Sequence, residues 1–328
     1  MDNIQDNELR SRSNHIHNLL RSRWADGTNK KYQAAWEKWR NWCSSYPESV
    51  LRPADPFYIA LYLNDIVMGG GKIGAIDAAV SGIRWGHIME GYENPLDCIF
   101  LRTLIEGAKR AIGKGGESNQ KEPFTTEMAK QVVNLYAVPT NLFRHRIIII
   151  CLLRFAGFLR ISELLQIQVN ELVFTDKDMQ IIIPKAKCDQ LREGHIVHIS
   201  RTGSEYCPVY WVEKYLHETG LMGNGEAFLI CRLAKTKKGH KAIGKYNLSD
   251  TTVRDIFKEH VAPICEQAEL GSYGLHSLRS GGASTAINNG IGERLVGKHG
   301  RWKSGYSRDR YLKDSRTKRL SVTQALGL

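Results

Sequence analysis

From Thr28 onward, apolar side chains return every three or four residues. In "TNKKYQAAWEKWRNWCSSY", Tyr32, Trp36, Trp39 and Trp42–Cys43 share one face, a period that predicts a helix with its aromatics in a core and Thr28 at its cap. "DPFYIALYLNDIVMGG" predicts a second helix, capped by Asp55, with Pro56 in its first turn and glycines to stop it. "KIGAIDAAVSGIRWGHIMEGY" and "LDCIFLRTLIEGAKRAI" predict a third and a fourth. Four or so helices on short connections make a small all-α bundle. Residues 1–23, polar and basic, read as a flexible lead-in. "GKGGESNQKEP", residues 113–123, has no periodicity and reads as a linker. The expected divisions are a lead-in (1–23), a helical domain (24–112), the linker (113–123) and a second domain (124–328).

The second domain opens on two helices, "TTEMAKQVVNLY" and "NLFRHRIIIICLLRFAGFL", the latter apolar nearly all round and so expected to be buried. Then the period shortens. "ELVF", "MQIIIP" and "HIVHIS" are short β-rich runs separated by polar turns, the pattern of a three-stranded antiparallel meander. Helical segments return at "CPVYWVEKYLHETG", "SDTTVRDIFKEHVAPICEQA" and "HSLRSGGASTAINNG". Helices, a small sheet and helices again make the chain mainly α with a small antiparallel sheet, an α+β order and not alternating βαβ.

Composition sharpens the picture through charge. Residues 1–120 carry a net +1 and residues 121–328 a net +11, so the basic excess belongs to the second domain and points to a polyanion meeting it. From Lys298 to Arg319, nine of twenty-two residues are Lys or Arg against two Asp. Like charges so close repel unless an anion meets them. Seven cysteines without a C-x-x-C pair read as reduced thiols of an intracellular protein. The start lacks the apolar run of a secretory signal, and the run from Ile147 is interrupted by Arg154 and too short to cross a bilayer.

No G-x-x-x-x-G-K-[ST] loop, H-E-x-x-H motif or dense carboxylate set is present, so phosphodiester chemistry would have to draw its positive charge from side chains. The candidates are "RISE", Arg160 to Glu163, and "HSLR", His276 to Arg279, each an i,i+3 pair on one helix face. Alone, each has a plain explanation: a local Arg160–Glu163 salt bridge, and an ordinary hydrogen-bonded histidine. "KTKKGHK", residues 235–241, reads equally as a nuclear-localisation run or a DNA-facing loop.

Order and spacing add what each motif lacks. R-x-x-E, a hairpin lysine, H-x-x-R, a Trp 23 residues beyond that Arg and a Tyr nine beyond the Trp resemble the tyrosine recombinase (phage integrase) family over roughly residues 124–315. The matching positions are Arg160, Glu163, Lys187, His276, Arg279, Trp302 and Tyr311, with Lys185 as the alternative hairpin lysine. The helical domain resembles the family's core-binding domain, and "HSLRSGGAS" resembles the eukaryotic mobile-element branch (DIRS, Ngaro, crypton), which would place the protein in a nucleus; otherwise cytoplasm or nucleoid is implied.

The resemblance implies that Tyr311 attacks a DNA phosphodiester to leave a 3′-phosphotyrosine, with Tyr306 as the competing nucleophile. Arg160, Arg279, His276 and Trp302 would hold the phosphate, the hairpin lysine would protonate the departing 5′ hydroxyl, and Glu163 would orient its neighbours. Neither metal nor ATP is implied. The cations Lys185, Arg301, Lys303, Arg308 and Arg310 are expected to contact DNA. Partners implied are double-stranded DNA and, for strand exchange between two sites, a homo-tetramer assembled from free monomers or dimers; no membrane partner is expected. The tail "RLSVTQALGL" presents Leu320, Val322 and Leu326, which either dock on a neighbouring protomer or pack on their own. A type IB topoisomerase and a catalytically inactive DNA-binding relative are the rival readings.

Overall fold

The computed structural model describes residues 7–46, 48, 51–113, 121–139, 141–184, 194–237, 239–265 and 270–326. The chain forms two compact units, residues 1–118 and 119–328.

The first unit is helical: α1 (Asn7–Ser22), α2 (Asp26–Ser45), α3 (Pro56–Met68), α4 (Ile73–Glu90) and α5 (Ile99–Gly113). Its core gathers Trp36, Trp39 and Cys43 of α2 with Ile59 and Leu63 of α3 and Ile76 and Ile83 of α4. Asp55 caps α3 by accepting from the Phe57 N–H at 2.7 Å, and Pro56 fills the first turn, where its missing N–H costs nothing. Two expectations need correction. The lead-in holds a helix, α1, whose Leu20 packs on the core together with Trp24. Asn29 explains the ordering: its Nδ2 donates to the carbonyls of Arg21 and Trp24, and its Oδ1 accepts from Trp85 Nε1. Helix α2 begins at Asp26 with Ala25 at its cap, and not at Thr28.

The second unit begins with α6 (Thr126–Tyr136), α7 (Leu142–Ala156) and the single turn α8 (Ile161–Leu164). Strands β1 (Leu172–Phe174), β2 (Asp178–Ile183) and β3 (His195–Ser200) form the expected antiparallel meander in the order β1-β2-β3. After α9 (Pro208–Thr219) comes a hairpin the sequence did not suggest, β4 (Cys231–Thr236) with β5 (Gly239–Asn247). The described residues of "KTKKGHK" belong to that hairpin, with Lys235 opposite His240 and Thr236 opposite Gly239. Its short apolar alternation, Cys231 and Leu233 inward and Arg232 outward, is interrupted by a register shift and so escapes a periodicity test. Then follow α10 (Asp250–Val261), α11 (Leu275–Asn288), α12 (Glu293–His299), α13 (Gly305–Asp309) and α14 (Arg316–Gln324).

Helix α7 is the axis of this unit. Ile147 to Cys151 are fully buried, and the helix packs against α6, α9 and α11. Close approach to α11 depends on Gly282, where a Cβ would fall 2.0 Å from the Phe155 carbonyl oxygen. Gly282→Ala must therefore push the backbones of α7 and α11 apart. We expect it to lower stability by roughly 1–3 kcal/mol, as overpacking does, measured by urea unfolding.

Candidate active site

Where α7 ends, the chain makes an unusual turn. Phe158 has φ +47°, and across the unit Arg301 has φ +57°; these are the two non-glycine residues with positive φ among those described. Such backbone costs on the order of 1–3 kcal/mol and persists where the surroundings over-determine it. Here the surroundings are guanidinium groups. The Phe158 carbonyl accepts from Arg279 Nη1 and from Arg301 Nη2 at 2.9 Å, and the Gly157 carbonyl accepts from Arg301 Nη1 at 3.3 Å.

Arg160 follows as the cap of α8. Glu163, three residues on, accepts from the Arg160 N–H at 2.8 Å, from Arg160 Nη1 at 2.5 Å and from Arg301 Nη2 at 2.8 Å. The Glu163 side chain is 1% exposed. Burial alone would raise its carboxyl, but Arg301, the Arg160 N–H and the Arg160 guanidinium outweigh burial and hold it below the ordinary value. A depressed carboxyl contributes stability above its unfolded pKa, near 4.3, and loses it as pH falls through the lower folded value. Glu163→Gln leaves two guanidinium groups short of their anion. It should cost about 3–5 kcal/mol at pH 7 and flatten the acid limb of stability against pH, checked by urea titrations from pH 7 down to 3.

Helix α11 brings His276, Arg279 and the nucleophile candidate together. Arg279 is fully buried; its Nη1 donates to Phe158 and its Nη2 to Gly300 at 2.5 Å. Its guanidinium stacks 4.3 Å from the Trp302 ring centroid and 5.3 Å from that of Tyr311. Trp302 lies 5.3 Å from Tyr311, and His276 lies 6.3 Å from it, ring centre to ring centre. Gly300 admits the indole, since a Cβ there would fall 1.9 Å from the Trp302 ring. The indole Nε1–H is buried with no partner among the described residues, a donor left over where the phosphate-holding role expects one.

Tyr311 is held by its backbone. Its carbonyl accepts from Ser280 Oγ and, at 3.4 Å, from Ser284 Oγ. Ser284 Oγ accepts from the Lys313 N–H at 2.9 Å, and Asn288 Nδ2 donates to the Lys313 carbonyl at 3.2 Å. His276, Ser280, Ser284 and Asn288 stand four apart, one polar row along α11. That spacing was the available signal for the three residues the sequence reading missed.

Charge around the site is crowded. His276 opens onto a cleft of about 770 Å³ whose lining includes Lys121, Arg254 and Lys258. Although the ring reaches solvent, the protein mass around it pushes its pKa below the ordinary value, with Arg154 and Arg279 adding to the effect. Burial, then the Arg160 and Arg301 charges, push Arg279 down as well.

Other expected residues fall elsewhere. Lys185 and Lys187 lie outside the described residues. Arg301, expected to face DNA, is buried and bound to Glu163 and backbone carbonyls, because its left-handed backbone turns it inward. Arg308 is committed to Glu293 at 2.5 Å and Asp309 at 2.8 Å. Lys303 and Arg310 are exposed. Tyr306 is 77% exposed, whereas Tyr311 is packed among Arg279, His276 and Trp302. Leu320, Val322 and Leu326 of the tail are exposed.

The model of the phage integrase family matches residues 126–318. An integrase/recombinase xerD homolog of Selenomonas ruminantium is 30% identical over 295 residues, covering 88% of this chain and 82% of the relative. In fold, the chain is similar to lambda integrase (75–356) bound as a dimer to a COC′ core site, with TM-score 0.57, 15% identity and coverage of 94% and 96%. It is similar also to the XerH site-specific recombinase in a post-cleavage complex with difH, with TM-score 0.56, 15% identity and coverage of 82% and 72%.

Proposed function

The chain belongs to the phage integrase family of tyrosine recombinases, and we propose that it breaks and rejoins duplex DNA at specific sites through a 3′-phosphotyrosine at Tyr311. The observation that carries this is the gathering of the Tyr311 ring, the Arg279 guanidinium and the His276 ring around one spot, although they come from separate elements. Tyr311 Oη, its phenol proton released to solvent, attacks phosphorus, the bond from phosphorus to the 5′ oxygen breaks, and that oxygen leaves with a proton, for which Lys187, or its neighbour Lys185, is the donor. Negative charge grows on the non-bridging oxygens, where Arg160 and Arg279 offer rigid forks of donors. The phosphotyrosine keeps the energy of the broken bond, so a 5′ hydroxyl from another strand reverses the step onto a new partner.

Incubation with random nicked duplexes, followed by denaturation and sequencing of what stays attached, tests the reading. Adducts enriched for one sequence support it. Relaxation of supercoiled plasmid with no recombinant product would assign a type IB topoisomerase instead.

Two features bear on assembly. The serine row binds the Tyr311 backbone to the same chain's α11, which favours cleavage in cis. The exposed apolar residues of α14 suit docking on a neighbouring protomer within a tetramer on two DNA sites. Mixing Tyr311→Phe with Arg279→Lys protein should therefore restore no adduct formation; recovery on mixing, read on denaturing gels, would show that the tyrosine is donated in trans.

A further inference from the structure

Arg154 sits on α7, six residues before Arg160, and is fully buried. None of its three guanidinium nitrogens has a hydrogen-bond partner among the described residues. A dry guanidinium without a counter-ion is among the costliest arrangements a fold can hold. Its own helix offers no remedy: burial pushes the Cys151 thiol, one turn earlier, up to about 12, so it stays neutral. Burial draws Arg154 itself down to about 10, and it remains cationic at neutral pH.

The position of this charge gives it a use. Helices α7 and α11 meet backbone to backbone at the next residue, Phe155 against Gly282. Gly282 is three residues beyond Arg279 and six beyond His276. Asp250, Glu163 and Tyr311 lie within electrostatic reach of Arg154, and among the charges acting on His276 it is the foremost.

We infer that Arg154 is a positioning residue of strand cleavage: a permanent charge stored in α7 where that helix meets α11, within electrostatic reach of His276 and Tyr311, with no hydrogen-bond partner among the described residues, and balanced further by the scissile phosphate that DNA brings. The inference rests on the recombinase reading above. Arg154 does not touch the phosphate. It acts through His276, keeping the imidazole neutral until DNA arrives, and across a low-dielectric layer, where charge growing on the phosphate is felt strongly. Other charged and titratable groups facing His276 are Arg279 on the same helix, Asp250, Arg254 and Lys258 from α10, Lys121 across the cleft and Tyr311 from the nucleophile segment.

Arg154→Met removes the charge at similar length, and Arg154→Lys keeps it. Three measurements on the full chain separate the roles: thermal melting, the NMR titration midpoint of His276 without DNA (its signal assigned with His276→Gln), and the rate of adduct formation on nicked duplexes. Arg154→Met should melt no lower than the unaltered protein, because an unpaired buried charge is gone. Its His276 midpoint should move to higher pH. Its adduct rate should fall at least about tenfold, less than the loss of a donor that touches the phosphate, while Arg154→Lys stays within about threefold. An unmoved His276 midpoint with an adduct rate within about twofold of normal overturns the inference. So does a lowered melting temperature in both variants, which would make the side chain a packing element. If the unaltered protein forms no adduct on any duplex, the recombinase reading fails, and the melting curves and His276 midpoints still decide whether Arg154 acts as a stored charge.

Discussion

Tyr311→Phe is expected to bind duplex DNA as the unaltered chain does and to form no covalent adduct with it. The substitution removes one oxygen. The ring keeps its packing on Trp302 and Arg279, and the backbone keeps its bonds to Ser280 and Ser284. Attraction to DNA comes from cations, none of which is altered. What disappears is the atom proposed to form the bond to phosphorus, so the loss of adduct should be complete and not graded. Gel-shift titration together with SDS-denatured gels measures both halves. An SDS-resistant adduct in the variant would transfer the role to another nucleophile, with Tyr306 the first to test, although it stands 77% exposed and outside the cluster of arginine, histidine and indole.

Arg279→Lys should slow cleavage by about 10²–10³-fold while leaving DNA affinity close to normal. The side chain keeps its charge but loses its fork. Arginine presents five N–H donors in a plane, and here two nitrogens reach carbonyls from different regions of the unit, Phe158 and Gly300. An ammonium cannot hold both and also point at a phosphate. One buried carbonyl left unsatisfied costs about 1–3 kcal/mol, so a modest fall in melting temperature accompanies the kinetic loss. The two effects separate when adduct formation is measured well below the melting transition. A rate within about tenfold of normal there would show that charge alone suffices and that the planar fork is not needed.

Much of this protein was legible before folding. The aromatic period of α2 placed Trp36 and Trp39 in a core, and both are buried. The nearly all-round apolar character of α7 foretold a buried helix. The three β-rich runs form the expected meander. Arg160 and Glu163 pair as their i,i+3 spacing suggested, and His276 and Arg279 meet Tyr311. Other features were misread for identifiable reasons. Helix α1 has a weak apolar stripe, with Leu9, Ile16 and Leu19 exposed, and is anchored by Asn29 from the next element. Arg301 looked like one more cation in a basic run, since charge density says nothing about which way a side chain turns. Its left-handed backbone and its bond to Glu163 reverse that reading.

The division follows the range of the forces. Helix periods, caps and strand alternation arise between residues a few positions apart, so they leave a trace in composition and order, and the candidate side chains of the site were named from order and spacing along with them. Which charges share a buried space is settled by packing between distant segments: Arg301 and Glu163 are 138 positions apart, and Arg279 and the Phe158 carbonyl 121. A buried ion takes whatever partner the assembled core leaves within reach, and no local pattern records that choice. That the guanidinium of Arg154, set in an apolar helix, finds no hydrogen-bond partner among the described residues became visible only when the core was assembled around it.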